Sequence, residues 1–545
     1  MRFWLIFWLL ILGGSMSVVA QSFASGVAVG VVQAVEISEA SGLAASRQNP
    51  GVLWTHNDSS YPGTVFALST NGLLISRYSV PNVFGGDFED IAIGPGPRPE
   101  HQYIYLGDIG DNFLRRPNIR VIRFPEPAVY LYQTNNPLAE YVSGAQEIWL
   151  QYPDGPFDAE ALMVDPLTGD LFIATKATNI SRIYRASRAD LDGGGPVGLT
   201  FVRELSFSGF RSVSAGDISS DGRLIAMRRN ARAWWWTRGS SQTVGDALGA
   251  TPSTMPLVTS TLTEPNGESL ALHPTGLGFY TLSEGFFQTN YFYRRTDAGA
   301  PRQPLILIGS GEVWRYQDQG TDEGTAWRQP AFDDRVWQAG PAQLGYGQGD
   351  EQTTISFGLD EFFKNTTTYF RKKFTLASGV ALTNVALRIC FTDGVAVYLN
   401  GVEVFRQNLA TNAAFDLPAF GSNSAGQNYW SSFPLSPALL HTGTNTMAVE
   451  LHRMTADGPD LSFDLQLVEQ KLEQTLQFTG APRLISGMWR ISVTGPVGSL
   501  AIIEASSDLV NWSEAGRVVL NGGTGQFQEN PLLGESQRFY RIRRW

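Results

Sequence analysis

Short runs of alternating apolar and polar residues recur through the first half of the chain, and each run ends in a turn sequence. Five segments share one pattern, in which a small or acidic residue is followed two positions later often by Glu and four positions later by Leu or Ile. The segments are 39–44, 87–92, 158–163, 214–219 and 266–271. Turns such as "SSDGR" and "PLTGD" follow; Gly in them tolerates the backbone of a tight hairpin. Each unit of about 50 residues holds four strand-like runs, which predicts a β-propeller.

The predicted propeller spans residues 30–300 and has five blades. The segment "VVQAVEI" (31–37) precedes the first unit as a fourth strand would, and the last unit lacks one. We therefore expect the N-terminal strand to complete the last blade and close the ring. The extra residues 128–146 are interpreted as a loop insertion, with a degenerate sixth blade as the open alternative.

Residues 305–470 continue the period-two alternation that is typical of half-buried strands, and the propeller repeat stops there. Asn400-Gly401 is a hairpin turn between two such runs. A third, smaller β-rich unit occupies 475–545. The prediction for the whole chain is an all-β protein: a propeller, a jelly-roll β-sandwich and a small C-terminal β-sandwich.

Residues 1–20 are predicted to be a secretory signal peptide, with Arg2 ahead of an apolar run at 3–12 and small residues before Ala20. The alternative is an uncleaved membrane anchor, although the run is shorter than a typical span. The rest of the chain contains no comparable apolar segment. We expect an exported protein, in a periplasm, outside the cell or at its surface.

The composition and the motifs argue against several classes of function. The net charge of −11, without a local basic patch, argues against a nucleic-acid partner. Cys390 is the only cysteine, so no intrachain disulfide can form, and its apolar context "LRICF" predicts a buried, unreactive thiol. Standard hydrolase and P-loop signatures are absent. A monomer with a small-molecule or glycan ligand is expected.

Acidic residues concentrate where the predicted repeat brings loops together. In a propeller, the loops into the first strand and out of the second converge on one mouth of the channel. Asp108, Asp111 and Asn112 in "GDIGDN" are the predicted metal ligands, because hard oxygen donors suit Ca²⁺. The alternative is that these side chains hydrogen-bond their own turns.

Other polar residues at the same mouth are candidates for chemistry or binding. His56 with Asp58 nearby is a possible general base, and Lys176 and Arg228 are possible anion-binding cations; these four are the catalytic candidates. The ligand-binding candidates are Asn57, Glu89, Glu160, Glu268 and Glu284. Alternatively, the glutamates at equivalent repeat positions (89, 160 and 268) brace neighbouring blades by accepting backbone N–H bonds.

The motifs "SGLAAS", "LWTHNDS", "FEDIAIG" and "YLGDIGDN" make residues 38–295 resemble secreted propeller proteins of the "esterase-like activity of phytase" family. The resemblance implies a propeller with an acidic central face and calcium-assisted phosphoester chemistry. Phytase propellers of that kind have six blades and more Lys and Arg at their site than this chain offers.

Residues 305–470 resemble galactose-binding-like jelly-roll modules, through "GTAW", "FDD", "GPAQLGYG" and "DGVAVYLNG". That resemblance implies attachment, often to glycans. We therefore expect an exported binding or surface-associated protein whose propeller mouth is the ligand site and whose jelly roll attaches it. The alternative is a calcium-dependent hydrolase of phosphate or other esters at the acidic mouth, so its status as an enzyme stays open.

Overall fold

The fold is described from a computed structural model. The structure describes residues 23–544, except for these internal stretches: 208–209, 211, 258–263, 297–303, 381, 383, 424–428, 470–476, 479–482, 486–487, 495–499, 509–511, 520–523 and 530–537. The predicted signal peptide at 1–20 lies outside the described residues.

The first half of the chain is built almost entirely of short strands. They are β1 (Val27–Val31), β2 (Ala40–Ala45), β3 (Val52–Asn57), β4 (Thr64–Ser69), β5 (Leu74–Ser79), β6 (Phe88–Pro95), β7 (Gln102–Asp108), β8 (Ile119–Pro125), β9 (Leu138–Tyr141), β10 (Gln146–Gln151), β11 (Ala159–Val164), β12 (Leu171–Thr175), β13 (Ser181–Ala186), β14 (Val197–Gly198), β15 (Thr200–Leu205), β16 (Ala215–Ile218), β17 (Leu224–Arg229), β18 (Arg232–Thr237), β19 (Ser253–Met255), β20 (Ser269–Leu272), β21 (Gly278–Leu282) and β22 (Thr289–Arg294). Short helices are α1 (Arg188–Leu191), α2 (Val244–Ala247) and a 3-10 turn at Leu131–Asn135.

These strands form five sheets in chain order. Sheet 1 has the order β2-β3-β4-β5-β9, sheet 2 β6-β7-β8-β10-β14, sheet 3 β11-β12-β13-β15, sheet 4 β16-β17-β18-β19, and sheet 5 β20-β21-β22-β1. The first strands follow one another in a closed circuit: β2 lies beside β6, β6 beside β11, β11 beside β16, β16 beside β20, and β20 beside β2. Apolar clusters between adjacent sheets form the core, as with Leu106 and Trp54 between sheets 1 and 2.

Two details of the first half differ from the sequence prediction. The strand that completes sheet 5 is Val27–Val31, antiparallel to β22, whereas the prediction placed it at 31–37. The insertion at 128–146 is not a bare loop, since it contains the 3-10 turn and β9, which pairs parallel with β5. The insertion therefore extends sheet 1.

Buried aspartates join the first strands of neighbouring sheets. The Asp90 carboxylate accepts hydrogen bonds from the N–H groups of Ile91 (2.9 Å), Leu162 (2.9 Å) and Gly216 (3.2 Å), which belong to sheets 2, 3 and 4. In the same way, Asp217 of sheet 4 accepts from Leu272 of sheet 5 at 2.8 Å. The bracing that the sequence suggested for the glutamates is present, one residue further along the repeat.

The second half begins with a β-sandwich. Its strands are β23 (Ile306–Ile308), β24 (Val313–Gln317), β25 (Gln338–Pro341), β26 (Leu344–Tyr346), β27 (Thr353–Thr354), β28 (Thr367–Leu376), β29 (Val385–Phe391), β30 (Gly394–Leu399), β31 (Val402–Gln407), β32 (Ser431–Leu435), β33 (Gly443–His452) and β34 (Leu461–Glu469), with 3-10 turns at Ala326–Arg328 and Pro437–Leu439. They form two six-stranded sheets. One apolar core, which includes Trp314, Phe370 and Phe463, lies between them.

The tryptophans of this sandwich are core residues. Trp314 and Trp327 are fully buried and Trp337 nearly so, which leaves no free ring face for a sugar. Cys390 is buried as the sequence predicted. The remaining strands are β35 (Gln477–Phe478), β36 (Arg483–Ile485), β37 (Met488–Thr494), β38 (Leu500–Ser506), β39 (Ser513–Val519), β40 (Thr524–Glu529) and β41 (Phe539–Arg544), which form two small sheets. The prediction of an all-β protein is confirmed.

The sandwich contacts the first half through a buried interface. Trp430 donates its indole N–H to Asn49 Oδ1 at 3.1 Å, and its carbonyl lies 3.0 Å from His101 Nδ1. Ser432 N–H donates to the Glu100 carbonyl at 2.9 Å. These bonds join sheets 1 and 2 to the sandwich. Among the described helices, none has both the length and the apolar character needed to cross a membrane.

Candidate cation-binding site

Acidic side chains meet at one end of the closed circuit, where first strands begin and second strands end. Asp87 and Glu89 lie at the start of β6, and Asp158 and Glu160 at the start of β11. Asp58 directly follows β3. These positions share one edge because antiparallel neighbours place the start of one strand beside the end of the next.

Four carboxylates converge on Glu89. Ligand atoms of Asp58, Asp87 and Glu89 lie within 4.8 Å of one another, and so do those of Glu89, Asp158 and Glu160. We call these five residues the carboxylate cluster. Glu89, Asp158 and Glu160 are buried, whereas Asp58 and Asp87 are partly exposed to solvent. A small ion can therefore reach the cluster from solvent at Asp58 and Asp87.

A glycine makes room for the converging side chains. A Cβ atom on Gly110 would lie 2.4 Å from Glu89 Oε1 and 2.5 Å from Asp87 Oδ2. The loop is held there because the Ile109 and Gly110 N–H groups both donate to the Asp87 carbonyl at 3.1 Å. The Asp111 N–H donates to Asp158 Oδ1 at 2.8 Å. The "GDIGDN" loop thus forms one wall of the cluster through its backbone.

Protein groups neutralise the cluster only in part. Lys176 forms an ion pair with Glu160. Asp58 Oδ1 is buried and receives no hydrogen bond from the described residues. Burial, followed by repulsion from Asp58 and Asp87, raises the pKa of Glu89 to about 9. Burial and the neighbouring Asp87 raise the pKa of Asp58 to about 7, and burial also raises the pKa of Asp87.

The oxygen-only donor set fits a hard cation such as Ca²⁺, which takes six to eight oxygen ligands. A bound dication would also be the largest local charge and would stabilise the ionised carboxylates. The unpartnered Asp58 oxygen agrees with such a ligand, and the missing Cβ of Gly110 lets the Glu89 and Asp87 oxygens lie against the loop. The residues therefore fit a calcium ion in their chemistry.

The metal ligands predicted from the sequence have other partners. Asp108 accepts from Arg116 Nη1 at 2.7 Å and from Arg120 Nε at 2.6 Å. Asp111 accepts from the Arg116 N–H at 2.7 Å, and Asn112 is exposed. The carboxylate cluster, which contains none of these three side chains, is the better candidate for a cation.

Two catalytic candidates lie apart from the cluster. His56 is 1% exposed, its Nδ1 lies 3.0 Å from the Asn57 carbonyl, and burial lowers its pKa to about 4. Arg228 is fully buried and pairs with Glu264 at 3.1 Å. It also donates to the Ser269 carbonyl at 2.9 Å. His56 is thus neutral at pH 7, and Arg228 is held inside the wall of the ring.

Of the remaining binding candidates, Asn57 stabilises the fold, whereas Glu268 and Glu284 lie near the carboxylate cluster. Asn57 fixes the segment that leads into β2 of sheet 1, since its side chain accepts from the Glu39 N–H at 3.1 Å and donates to the Glu36 carbonyl at 2.7 Å. Glu268 and Glu284 lie close enough to Asp58 to interact with it electrostatically, and burial followed by repulsion from Glu284 raises the pKa of Glu268 to about 7. Of the candidates predicted from the sequence, the structure brings together Asp58, Glu89, Glu160 and Lys176.

Two cluster members, Asp87 and Asp158, were not among the ligands predicted from the sequence. The signal that could have identified them is the Asp-x-Glu spacing, which occurs at 87–89 and again at 158–160. Both occurrences fall at equivalent positions of the repeat. Side chains at equivalent positions of adjacent units are expected to meet at the same mouth.

Comparison with known proteins identifies no family. No family model matches the sequence, and no curated protein does. Solved structures that overlap include a glycosyl hydrolase family 2 member from Bacteroides cellulosilyticus, at 14% identity and a TM-score of 0.24, over 41% of this chain and 30% of that one. A β-glucuronidase from Ruminococcus gnavus overlaps at 12% identity and a TM-score of 0.21, over 44% of this chain and 42% of that one. This chain spans less than half the length of either.

Proposed function

We propose that the five sheets of the first half of the chain are the blades of a β-propeller whose mouth binds Ca²⁺ through the carboxylate cluster. The observation that supports this most directly is the position of Glu89, which is shared by two groups of three carboxylates with ligand atoms within 4.8 Å of one another. Only Lys176 opposes their charge by direct contact among the described residues. A dication relieves repulsion that the protein leaves in place.

The proposed role is calcium-dependent ligand binding by an exported protein. Asp58 and Asp87 are partly exposed, so a bound ion keeps coordination positions on the solvent side. An oxygen-rich small molecule or glycan would complete that shell. The sandwich at 305–470 is proposed as a galactose-binding-like attachment module, which contacts the propeller through the interface at Trp430. The working unit is a monomer.

One observation favours hydrolysis as a second candidate. Asp58 and Glu268 are partly exposed carboxyl groups with a pKa of about 7, close to the value that general acid–base catalysis favours. If they act in this way, p-nitrophenyl phosphate or acetate is hydrolysed in the presence of Ca²⁺ and Asp58→Asn abolishes turnover. Absence of turnover in the calcium-loaded wild type would leave binding as the function.

Thermal unfolding of the full chain in EDTA and in millimolar Ca²⁺ tests the proposal. An ion that binds only the native state at about a thousand times its Kd stabilises by about 4 kcal/mol. We expect Ca²⁺ to raise Tm in the wild type and in Glu361→Gln, an exposed control, but not in Glu89→Gln. Asp108→Asn separates the two candidate sites, because it keeps the response only if the cluster is the site.

A further inference from the structure

Lys176 brings a positive charge into the carboxylate cluster. It is the first residue after β12, which pairs antiparallel with β11, and its backbone N–H donates to the Asp158 carbonyl at 2.8 Å. Its side chain is 29% exposed and forms an ion pair with Glu160, whose side chain is 4% exposed. The pairing of these two strands therefore holds the ammonium group against a buried carboxylate.

The field of Lys176 also reaches other carboxylates at the mouth. Burial raises the pKa of Glu89 and of Glu268, and the Lys176 ammonium opposes that rise at both groups. Glu89 belongs to the same group of three carboxylates as Glu160. One ammonium thus acts on three acidic side chains, in the way that a bound cation would.

The two groups of three carboxylates that share Glu89 differ in the partners the protein gives them. In the buried group, Glu160 has Lys176, and Asp158 Oδ1 accepts from the Asp111 N–H at 2.8 Å. In the group that reaches solvent, Asp58 Oδ1 receives no hydrogen bond from the described residues. The buried group therefore already has a cation of its own, whereas the other group does not.

We propose that Lys176 is a tethered cation that competes with Ca²⁺ for the buried carboxylates and so lowers the calcium affinity of the cluster. This inference rests on the proposed calcium site and adds the residue that sets its affinity. Calcium affinity depends on how many ligand charges face the ion, and the pair with Glu160 offsets one of them. An ammonium and a dication on neighbouring carboxylates also repel each other, and a partly buried site screens that repulsion less than bulk water does.

A purely structural role for Lys176 predicts a different result. As a brace between β11 and β12, the ion pair would hold the carboxylates in place, and its removal would weaken calcium binding or leave it unchanged. As a competing cation, Lys176 stabilises the metal-free protein more than the calcium-bound protein, so its removal strengthens calcium binding. The direction of the change in calcium affinity separates the two roles.

Isothermal titration of the full chain with calcium chloride measures that direction, at about pH 8, where protons compete less with the metal. Lys176→Gln removes the charge and keeps a polar group for Glu160, and Lys176→Met removes both. We expect each to bind Ca²⁺ about tenfold more tightly than the wild type, because an elementary charge near the ion is gone. Lys176→Arg keeps the charge and should bind within about threefold of the wild type. Lys373→Gln, at an exposed position of the sandwich, is the matched control and should not change the affinity.

The outcomes distinguish a failure of this inference from a failure of the calcium site. If the wild type binds Ca²⁺ and neither neutral variant binds it more tightly, the competition is refuted and the site stands. If the wild type and both neutral variants bind no Ca²⁺, the site and the competition are refuted together. Binding by the neutral variants alone supports the competition and removes calcium from the wild-type function.

Thermal unfolding gives a second measurement that does not depend on the titration. In EDTA, Lys176→Gln should lower Tm, because the buried Glu160 loses its charged partner. Saturating Ca²⁺ should then raise Tm more in this variant than in the wild type. A smaller rise in the variant would identify Lys176 as a structural brace and contradict the proposal.

Discussion

Asp90 and Glu89 are neighbours in one strand, and they show two ways in which this protein treats a buried carboxylate. Asp90 is fully buried and accepts three backbone N–H bonds from three sheets. Glu89 is 6% exposed and converges with four other carboxylates. Burial raises the pKa of both, but the amide donors oppose the shift at Asp90 whereas the carboxylates Asp58 and Asp87 add to it at Glu89.

This difference separates scaffold from site. A buried polar group with all its partners holds the fold together, and a buried carboxylate without them carries a free-energy cost that a proton or a bound cation lowers. The strand reverses its side chains from one residue to the next, so both situations can exist side by side. The protein supplies all the partners of Asp90, and in our proposal a cation completes those of Glu89.

The largest effect is expected for Asp90→Ala. The change leaves the amides of Ile91, Leu162 and Gly216 without their acceptor in the interior, at about 1–3 kcal/mol each, so we expect a loss of about 3–5 kcal/mol after relaxation. Differential scanning calorimetry of the full chain measures it as a lower Tm. A Tm within a degree or two of the wild type would show that Asp90 does not brace the ring.

Glu89→Gln should have little effect in EDTA. Without metal, burial and its acidic neighbours keep Glu89 protonated at neutral pH, so a neutral amide replaces a neutral acid, and the stabilisation by Ca²⁺, about 4 kcal/mol at saturation, disappears. Melting curves with and without Ca²⁺ give both numbers. A variant that is less stable than the wild type in EDTA would make Glu89 a scaffold residue like Asp90.

Gly110→Ala should have a smaller effect that is confined to the mouth. The added Cβ would meet Glu89 Oε1 and Asp87 Oδ2, which must move out of the position they share. We expect Ca²⁺ affinity to fall about tenfold, or about 1.4 kcal/mol, with little change in the EDTA melting curve. Calorimetric titration with Ca²⁺ measures the affinity. Gly195→Ala is the control, because a Cβ atom at Gly195 would contact no other atom.

The smallest effect is a gradual dependence on pH. The folded state holds the Glu89 proton up to about pH 9, whereas the unfolded chain releases it near the ordinary value of 4.5. Without metal, this group's contribution to the free energy of unfolding therefore falls as pH rises between those values. Ca²⁺ must displace the proton, so the calcium-induced rise in Tm should be larger at about pH 8 than at about pH 6. A rise that does not change with pH would exclude Glu89 as a ligand.

Much of the fold could be predicted because the chain repeats itself. Five similar segments, each followed by hairpin turns, were enough to place β2, β6, β11, β16 and β20 at equivalent positions. The strand that completes sheet 5 was misplaced because 31–37 and 27–31 are both apolar, and only pairing with β22 selects between them. The pairing of β9 with β5 was missed because parallel neighbours lack a connecting turn in the sequence.

The sequence predicted which part of the repeat carries the site, but it did not predict which side chains form the carboxylate cluster. Residues of the D-x-E segments lie at the mouth, as the repeat indicated, but "GDIGDN" attracted the metal assignment because three donors are adjacent there. Arg116 and Arg120 contact Asp108 only once the loop has folded, and the spacing of these residues in the sequence does not predict those ion pairs. The charge balance of a site depends on which Lys and Arg side chains contact it in the folded protein.

The pairing of β1 with β22 has a consequence for the order of events during synthesis. Val31 leaves the ribosome early, and its partner Thr289 emerges only after all the other sheets of the ring. Until then the outer edge of sheet 5 does not exist, and β1 has no place to bind. Closing so long a stretch of chain is slow, and any copy caught before closure presents β22 as an open edge. The nascent ring is thus most exposed to association with other chains at the moment just before it is finished.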